Sequence, residues 1–355
     1  MKVLMCNREN ALSNPGGDTT VMLRISEELR AIGIDVDIDL IFEKDMRHYD
    51  IIHLHNFATP DHTRYVAEKC VKSGTPYVVT TMCEDWPLFY NQMHEQMLAM
   101  YHYVNDGQPA ERFKHYLQKV RNCKPAEKLD NTWTADHASC LIASGEREKE
   151  TLERDYPETK NISTYRLGSN LSSDTGDESR LNKLLKTSDF VFCVGRLETR
   201  KNQLTLLKAL EDHDIPVVFA TGGFTYQPLY SSACTAFKRR GKTYFLNSRI
   251  DDDLLASAYT AARVHVLPSW YELPGIVSLE AAKRGTNIVV TDNGTARDYF
   301  GNSAFYCEPG DPESICNATL EAMSTPFRHG LVDAISDCTW PNAAKQILDI
   351  YQRIV

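Results

Sequence analysis

Short apolar runs alternate along the chain with stretches whose apolar residues recur every three or four positions. The segment KVLMC at 2–6 reads as a strand; Val21, Ile25, Leu29 and Ile32 then lie at helical spacing until Gly33 stops the helix. Further strands are predicted at 34–41, Ile51–His55, 77–81, 139–143 and 161–165. A second alternation supplies 190–194, Val217–Ala220, 244–246, Val264–Leu267 and Asn287–Thr291. Between the two series, 167–188 is rich in Ser, Asp, Asn and Gly and reads as a linker. Buried strands of this kind, separated by helices, imply parallel sheets with right-handed crossovers. Two such series predict two doubly wound α/β domains with a cleft between them, ligands binding beyond the carboxyl ends of the strands.

Length agrees: 355 residues at about 150 per domain is about two domains. A net charge of -9, spread over both halves, excludes a dedicated nucleic-acid binder, which needs a basic footprint. No apolar run approaches the roughly 18–20 residues of a membrane span, and the N-terminal run is too short for a signal peptide. The ten cysteines occur singly with no C-x-x-C, which suits reduced thiols and a cytoplasmic location. In that setting the N-x-S/T sequons at Asn161, Asn170, Asn293 and Asn317 carry no meaning.

Common nucleotide and hydrolase fingerprints are absent: there is no G-x-G-x-x-G after a strand, no intact P-loop, no G-x-S-x-G and no H-E-x-x-H. Two other stretches carry chemistry. In SWYELPGIVSLEAAKRG at 269–285, Pro274 and Gly275 turn the chain into a helix opening near Ile276, whose first N–H groups form an anion site. Glu272 precedes that site and Glu280 lies about one turn inside the helix. A carboxylate on either side of an anion site suits a phosphate flanked by hydroxylated groups; a solvated helix with glutamates favouring its dipole is the competing reading. In FVFCVGRLETRKNQLTLLKAL at 190–210, Arg196 and Lys201 lie between strand and helix, where two cations suit a diphosphate; a solvated basic loop is the alternative. Asp251, Asp252 and Asp253 read as a helix cap, and Asp35, Asp37 and Asp39 as the polar face of a strand, so neither trio reads as a metal site.

Together the two stretches resemble the retaining glycosyltransferases of family four, which have the GT-B fold. The match is G-R-L-x(4)-N-x(3)-L-L-x-A from Gly195 to Ala209 followed by E-x7-E from Glu272 to Glu280. The NPGG loop at 14–17, YDIIHLHNF at 49–57 and TWPNAAKQILDIY at 339–351 are also similar to the family. The resemblance implies a first domain over 1–170, a nucleotide-sugar-binding domain over 171–339, and a closing helix within 340–355 that returns to the first domain. It implies that Arg196 and Lys201 hold the donor diphosphate, Glu280 bonds the ribose, and Glu272 contacts the donor sugar at the reacting centre. Backbone N–H groups of Pro274's neighbours Gly275, Ile276 and Val277 would bind the sugar and distal phosphate, and Gly16 and Gly17 would approach the diphosphate. Catalysis would be electrostatic and independent of metal, with no cofactor beyond a UDP- or GDP-sugar donor. The implied acceptor is a glycan or glycolipid, in polysaccharide or lipopolysaccharide assembly.

One position departs from the family. A pattern like T-L-H-D-x-W-P is usual, and TTMCEDWP at 80–87 places Cys83 where histidine is expected. Either Glu84 or Asp85 takes over that contact or the activity is impaired. His53 and His55 read as structural. The stretch 89–130 is least family-like and is the expected seat of acceptor specificity. Its basic amphipathic part, 109–128, has two open readings: a helix packed on the core, or peripheral contact with the inner membrane face. Two competing functions also stand, a non-catalytic nucleotide-sugar-binding partner and a phosphorylase or synthase acting on small acceptors.

Overall fold

A computed structural model describes residues 1–107, 130–169, 181, 185, 189–223, 225–247 and 250–355. In chain order the first elements are β1 (Lys2–Cys6), α1 (Gly17–Ala31), β2 (Asp35–Ile38), β3 (Ile51–His55), α2 (Pro60–Ser73) and β4 (Tyr77–Thr80). Then come α3 (Trp86–Val104), α4 (Thr132–His137), β5 (Cys140–Ala143), α5 (Glu146–Asp155) and β6 (Ile162–Thr164). The next are β7 (Val191–Val194), α6 (Gln203–Ala209), β8 (Val217–Ala220), α7 (Pro228–Ala236), β9 (Thr243–Leu246) and α8 (Asp252–Ala261). They continue with β10 (Val264–Leu267), α9 (Ile276–Lys283), β11 (Asn287–Thr291), α10 (Ala296–Phe300) and β12 (Phe305–Cys307). The chain closes with α11 (Pro312–Ser324), α12 (Gly330–Ala334) and α13 (Trp340–Tyr351).

Two compact units result. The first draws on Met1–Asp85, Lys128–Ser169 and Ser336–Val355. Its strands pair in parallel in the order β2-β1-β3-β4-β5-β6, with Val3 opposite Val36 on one side and Ile51 on the other. Such strands need apolar residues on both faces, and Ile51, Ile52, Val78, Val79, Leu141 and Ile142 are all fully buried. α13 packs on α1 in this unit. The second unit pairs its strands in parallel as β12-β11-β10-β7-β8-β9. Val191, Val217, Val264 and Val289 form the middle of its core. β10 and β7 are neighbours without being consecutive, so the topological switch, where open α/β sheets bind ligands, lies between them.

Three features differ from the sequence reading. Helix α3 was expected in the first domain, within 1–170, but it belongs to the second unit. The reason is its stripe of Phe89, Met93, Met97 and Met100: Met97, Met100 and Tyr101 join the second unit's core, while Phe89 stacks on Tyr271 at 5.6 Å. Strand β2 is shorter than 34–41, because Asp39 is buried and accepts the backbone N–H groups of Ile41, Phe42 and Lys44, which caps a loop. Strand β12 was not foreseen. The basic stretch 109–128 and most of the linker 167–188 lie outside the described residues. Every cysteine among the described residues is a free thiol. No helix among them is long and apolar enough to cross a membrane.

Candidate active site

The second unit assembles its charged site at the carboxyl ends of β7 and β10. After β7, Gly195 takes φ +150°, and a Cβ there would lie 3.7 Å from the side chain of Lys201. A 3-10 turn, Thr199–Lys201, leads to Asn202, which adopts the left-handed conformation at φ 61°. Asn202 Nδ2 donates to the carbonyls of Pro268 (3.0 Å) and Pro309 (2.7 Å), and its Oδ1 accepts from Thr205 Oγ1. One buried amide therefore ties the loops beyond β7, β10 and β12 together. That is the physical role of the asparagine in the G-R-L-x(4)-N pattern.

Beyond β10 the backbone of Glu272 bridges in parallel to Gly294, its N–H donating to Asn293 O and its carbonyl accepting from Thr295 N–H. Gly294 has φ +98°, and a Cβ there would sit 2.0 Å from the Glu272 carbonyl oxygen, so only glycine fits. The Glu272 side chain is buried, 2.5 Å from Lys201 Nζ and 3.8 Å from Arg200 Nη1. Arg200 also donates to Tyr271 O. Burial pushes the Glu272 carboxyl up, but Lys201 and Arg200 together outweigh it and hold the group below the ordinary carboxylate range. The site keeps a buried carboxylate ionised beside two cations.

The other sequence-predicted residues distribute around this pair. Arg196 lies 3.6 Å from Glu198, its guanidinium over the Tyr226 ring. Gly275, at φ +91°, is the N-cap of α9, and Pro274 behind it is buried. Ile276 and Val277 supply the first-turn N–H groups, which helix geometry leaves without intrahelical acceptors. Glu280 is buried on α9 and accepts from Tyr259 OH at 3.1 Å. Asp251 caps α8 by accepting from Leu254 N–H, as its sequence context suggests.

In the first unit Gly16 is the N-cap of α1 and Gly17 its first residue. A Cβ on Gly16 would lie 2.7 Å from Asp18 Oδ1. Arg8 grips Asp18 with two bonds, at 2.8 and 3.1 Å, and donates to Asn14 O, which folds the 14–17 loop back. The 81–85 segment turns at Met82, φ 47°, and is clamped by Glu148. This fully buried carboxylate accepts from Thr81 Oγ1 and Cys83 N–H on one oxygen and from Ser144 N–H and Oγ on the other, all at 2.6–2.7 Å. Asp85 pairs with Arg154 at 3.0 Å, while Cys83 and Glu84 are half-buried. His53 bonds Tyr351 OH and Thr80 Oγ1, and His55 bonds Cys6 O; both are buried, and burial holds their pKa values low, His55 at about 4.

Arg200, Gly294, Glu148 and the Arg8–Asp18 pair were not singled out from sequence. Arg200 sits beside Lys201 in the same basic loop, and Gly294 belongs to a D-N-G turn signature. Glu148 lies in an E-R-E-K-E charge run that reads as a solvated helix face.

Comparison with known proteins fits this geometry. Residues 176–334 match the family model of glycosyl transferases group 1. That segment carries β7 to α12, hence Arg196, Lys201, Glu272 and Glu280. An uncharacterized glycosyltransferase of Methanocaldococcus jannaschii is 30% identical over 174 residues, 46% of this chain and 44% of that one. The D-inositol 3-phosphate glycosyltransferase of Corynebacterium urealyticum is 26% identical over 269 residues, 68% and 63% of the two chains. The mannosylfructose-phosphate synthase of Agrobacterium fabrum is 28% identical over 186 residues, 46% and 40%. The chain spans about half the length of the curated relatives it matches. Among solved structures, sucrose-phosphate synthase of Thermosynechococcus elongatus superposes with TM-score 0.72 at 16% identity, covering 99% of both chains. Anabaena HepE in complex with UDP gives 0.71 at 16%, covering 99% of this chain and 100% of that one. The fold is GT-B.

Proposed function

We propose that this protein is a retaining glycosyltransferase that moves a sugar from a nucleoside-diphosphate donor, a UDP- or GDP-sugar, to a glycan or glycolipid acceptor. The observation that carries this reading is the buried Lys201–Glu272 pair at the switch between β7 and β10. Lys201 and Arg196 hold the diphosphate and stabilise the departing nucleoside diphosphate, which supplies electrostatic catalysis without calling on a metal. Glu272 contacts the donor sugar at its reacting carbon, and Glu280 the ribose. N–H groups of Gly275, Ile276 and Val277 take the sugar and distal phosphate. The reaction belongs to cell-surface polysaccharide assembly in the cytoplasm.

A second reading, transfer to a small acceptor, is favoured by the relatives whose names give small phosphorylated molecules, inositol 3-phosphate and mannosylfructose phosphate. A thermal-shift screen of UDP-, GDP-, ADP- and dTDP-sugars tests the donor, since a ligand of the folded state raises Tm. We expect a shift with UDP- or GDP-sugars, and a loss of about 100-fold or more in transfer for Glu272→Ala with the fold retained. No shift with any donor, or substantial residual transfer in the variant, overturns the reading.

A further inference from the structure

A recess of the second unit that the proposed donor contacts leave unused lies between α3 and the loops beyond β10, β11 and β12. Its volume is about 670 Å³, enough for a mono- or disaccharide. From α3 it is lined by Gln92, Glu95 and Gln96, and from the opposite wall by Asn293, Glu308 and Asp311. Trp270 forms part of the floor. Trp270 itself is buried, and Gly310 packs closely on it, since a Cβ there would lie 3.2 Å from its Cη2.

Three side-chain amides and three carboxylates, with no Lys or Arg in the lining among the described residues, define the chemistry. Amides both donate and accept, carboxylates accept hydroxyl protons, and the exposed apolar surface of Leu88 and Ala99 suits the C–H face of a sugar ring. An anionic ligand would meet like charge from Glu95, Glu308 and Asp311. The recess also shares its wall with the turn that holds Glu272. Asn293 Nδ2 donates to Trp270 O at 3.0 Å, and Asn293 O accepts the Glu272 N–H at 3.2 Å.

From these observations we infer that the recess is a binding site for an uncharged, hydroxyl-rich saccharide, the acceptor of the transfer. The inference rests on the transferase reading for the word acceptor, but the binding itself does not. It assigns to the second unit a specificity surface built largely on α3, and it predicts discrimination against phosphorylated sugars.

The test uses the full chain and saturation-transfer NMR with glucose, maltose and glucose 6-phosphate, while UDP binding is followed separately by thermal shift. Ala99→Trp fills the recess without touching Lys201 or Glu272. We expect signals from the uncharged sugars and little from the phosphate. Ala99→Trp should weaken saccharide binding about tenfold or more, with the UDP shift unchanged. Gln96→Ala, a smaller change, should weaken it by a lesser factor and keeps the test open if the tryptophan variant misfolds. Absence of any saccharide signal, equal binding of glucose 6-phosphate, or insensitivity to both substitutions overturns the proposal. Failure of the donor reading shows instead as a missing UDP shift.

Discussion

In the first unit the buried carboxylate of Glu148 is held by neutral donors, whereas in the second unit Glu272 is held by Lys201 and Arg200. The consequences for ionisation are opposite. Burial leaves Glu148 above the ordinary carboxylate range despite its hydrogen bonds, while the two cations bring Glu272 below it. Hydroxyls and backbone N–H groups of the chain are permanent partners, so Glu148 is a clamp. A lysine is shared more readily: in the proposed reaction, a diphosphate that drew Lys201 away would leave Glu272 available to a sugar. Glu148 thus holds a loop in place, whereas Glu272 is held by charges.

The strongest way to break this contrast is Lys201→Met. Removing one member of a buried pair leaves the other charge uncompensated, so urea unfolding should show a loss of about 3 kcal/mol. Arg200 keeps the loss from being larger, and adding Glu272→Gln should recover most of it. If the single variant is as stable as wild type, the pair does not carry the buried charge.

Acid should act next, through the first unit's histidines. His55 titrates near 6.5 when exposed and at about 4 in the fold, and His53 shifts the same way, in each case chiefly because burial disfavours the charged ring. Groups whose pKa falls on folding stabilise above the unfolded value and withdraw that stability as pH drops toward the folded one. From neutral pH to about pH 5, His55 alone should account for about 2 kcal/mol. His265 in β10, lowered by burial to about 3, adds in the same direction. His55→Gln should flatten part of the dependence; a stability unchanged between the two pH values would refute the assignment.

The smallest effect is expected for Glu148→Gln, where an NH2 group would face donors, at about 1 kcal/mol in denaturant unfolding. Because the Glu148 pKa is raised, wild type loses stability as pH climbs through the folded value. The gap to the glutamine variant should therefore narrow with rising pH. A gap that widens would mean that the fold favours the carboxylate of Glu148 over its acid form.

Much of the fold was legible because parallel strands are buried on both faces. Ile51–His55, Val217–Ala220, Val264–Leu267 and Asn287–Thr291 are found where their apolar runs predict. Strand β12 escaped because Phe305–Cys307 is three residues between turn-forming stretches. The stripe of α3 was not singled out, and a stripe of Phe and Met does not in any case state which of two apolar cores it covers. At the site, Glu272 and Lys201 stood out through their spacing patterns. That they touch is a contact across 71 positions, set by the order of strands in the sheet. Glu148 gave no local signal at all, since burial among glutamates and lysines is decided by the 81–85 turn packed above it.

Gly294 carries no functional group, yet the position of Glu272 depends on it. The clearance is so small that one methyl group, added by the commonest of substitutions, would push the glutamate's backbone out of register. A natural variant altered only there would keep Lys201, Glu272 and Glu280 and pass any motif search as intact. The absence of a side chain at position 294 thus decides whether the Glu272 backbone keeps its place.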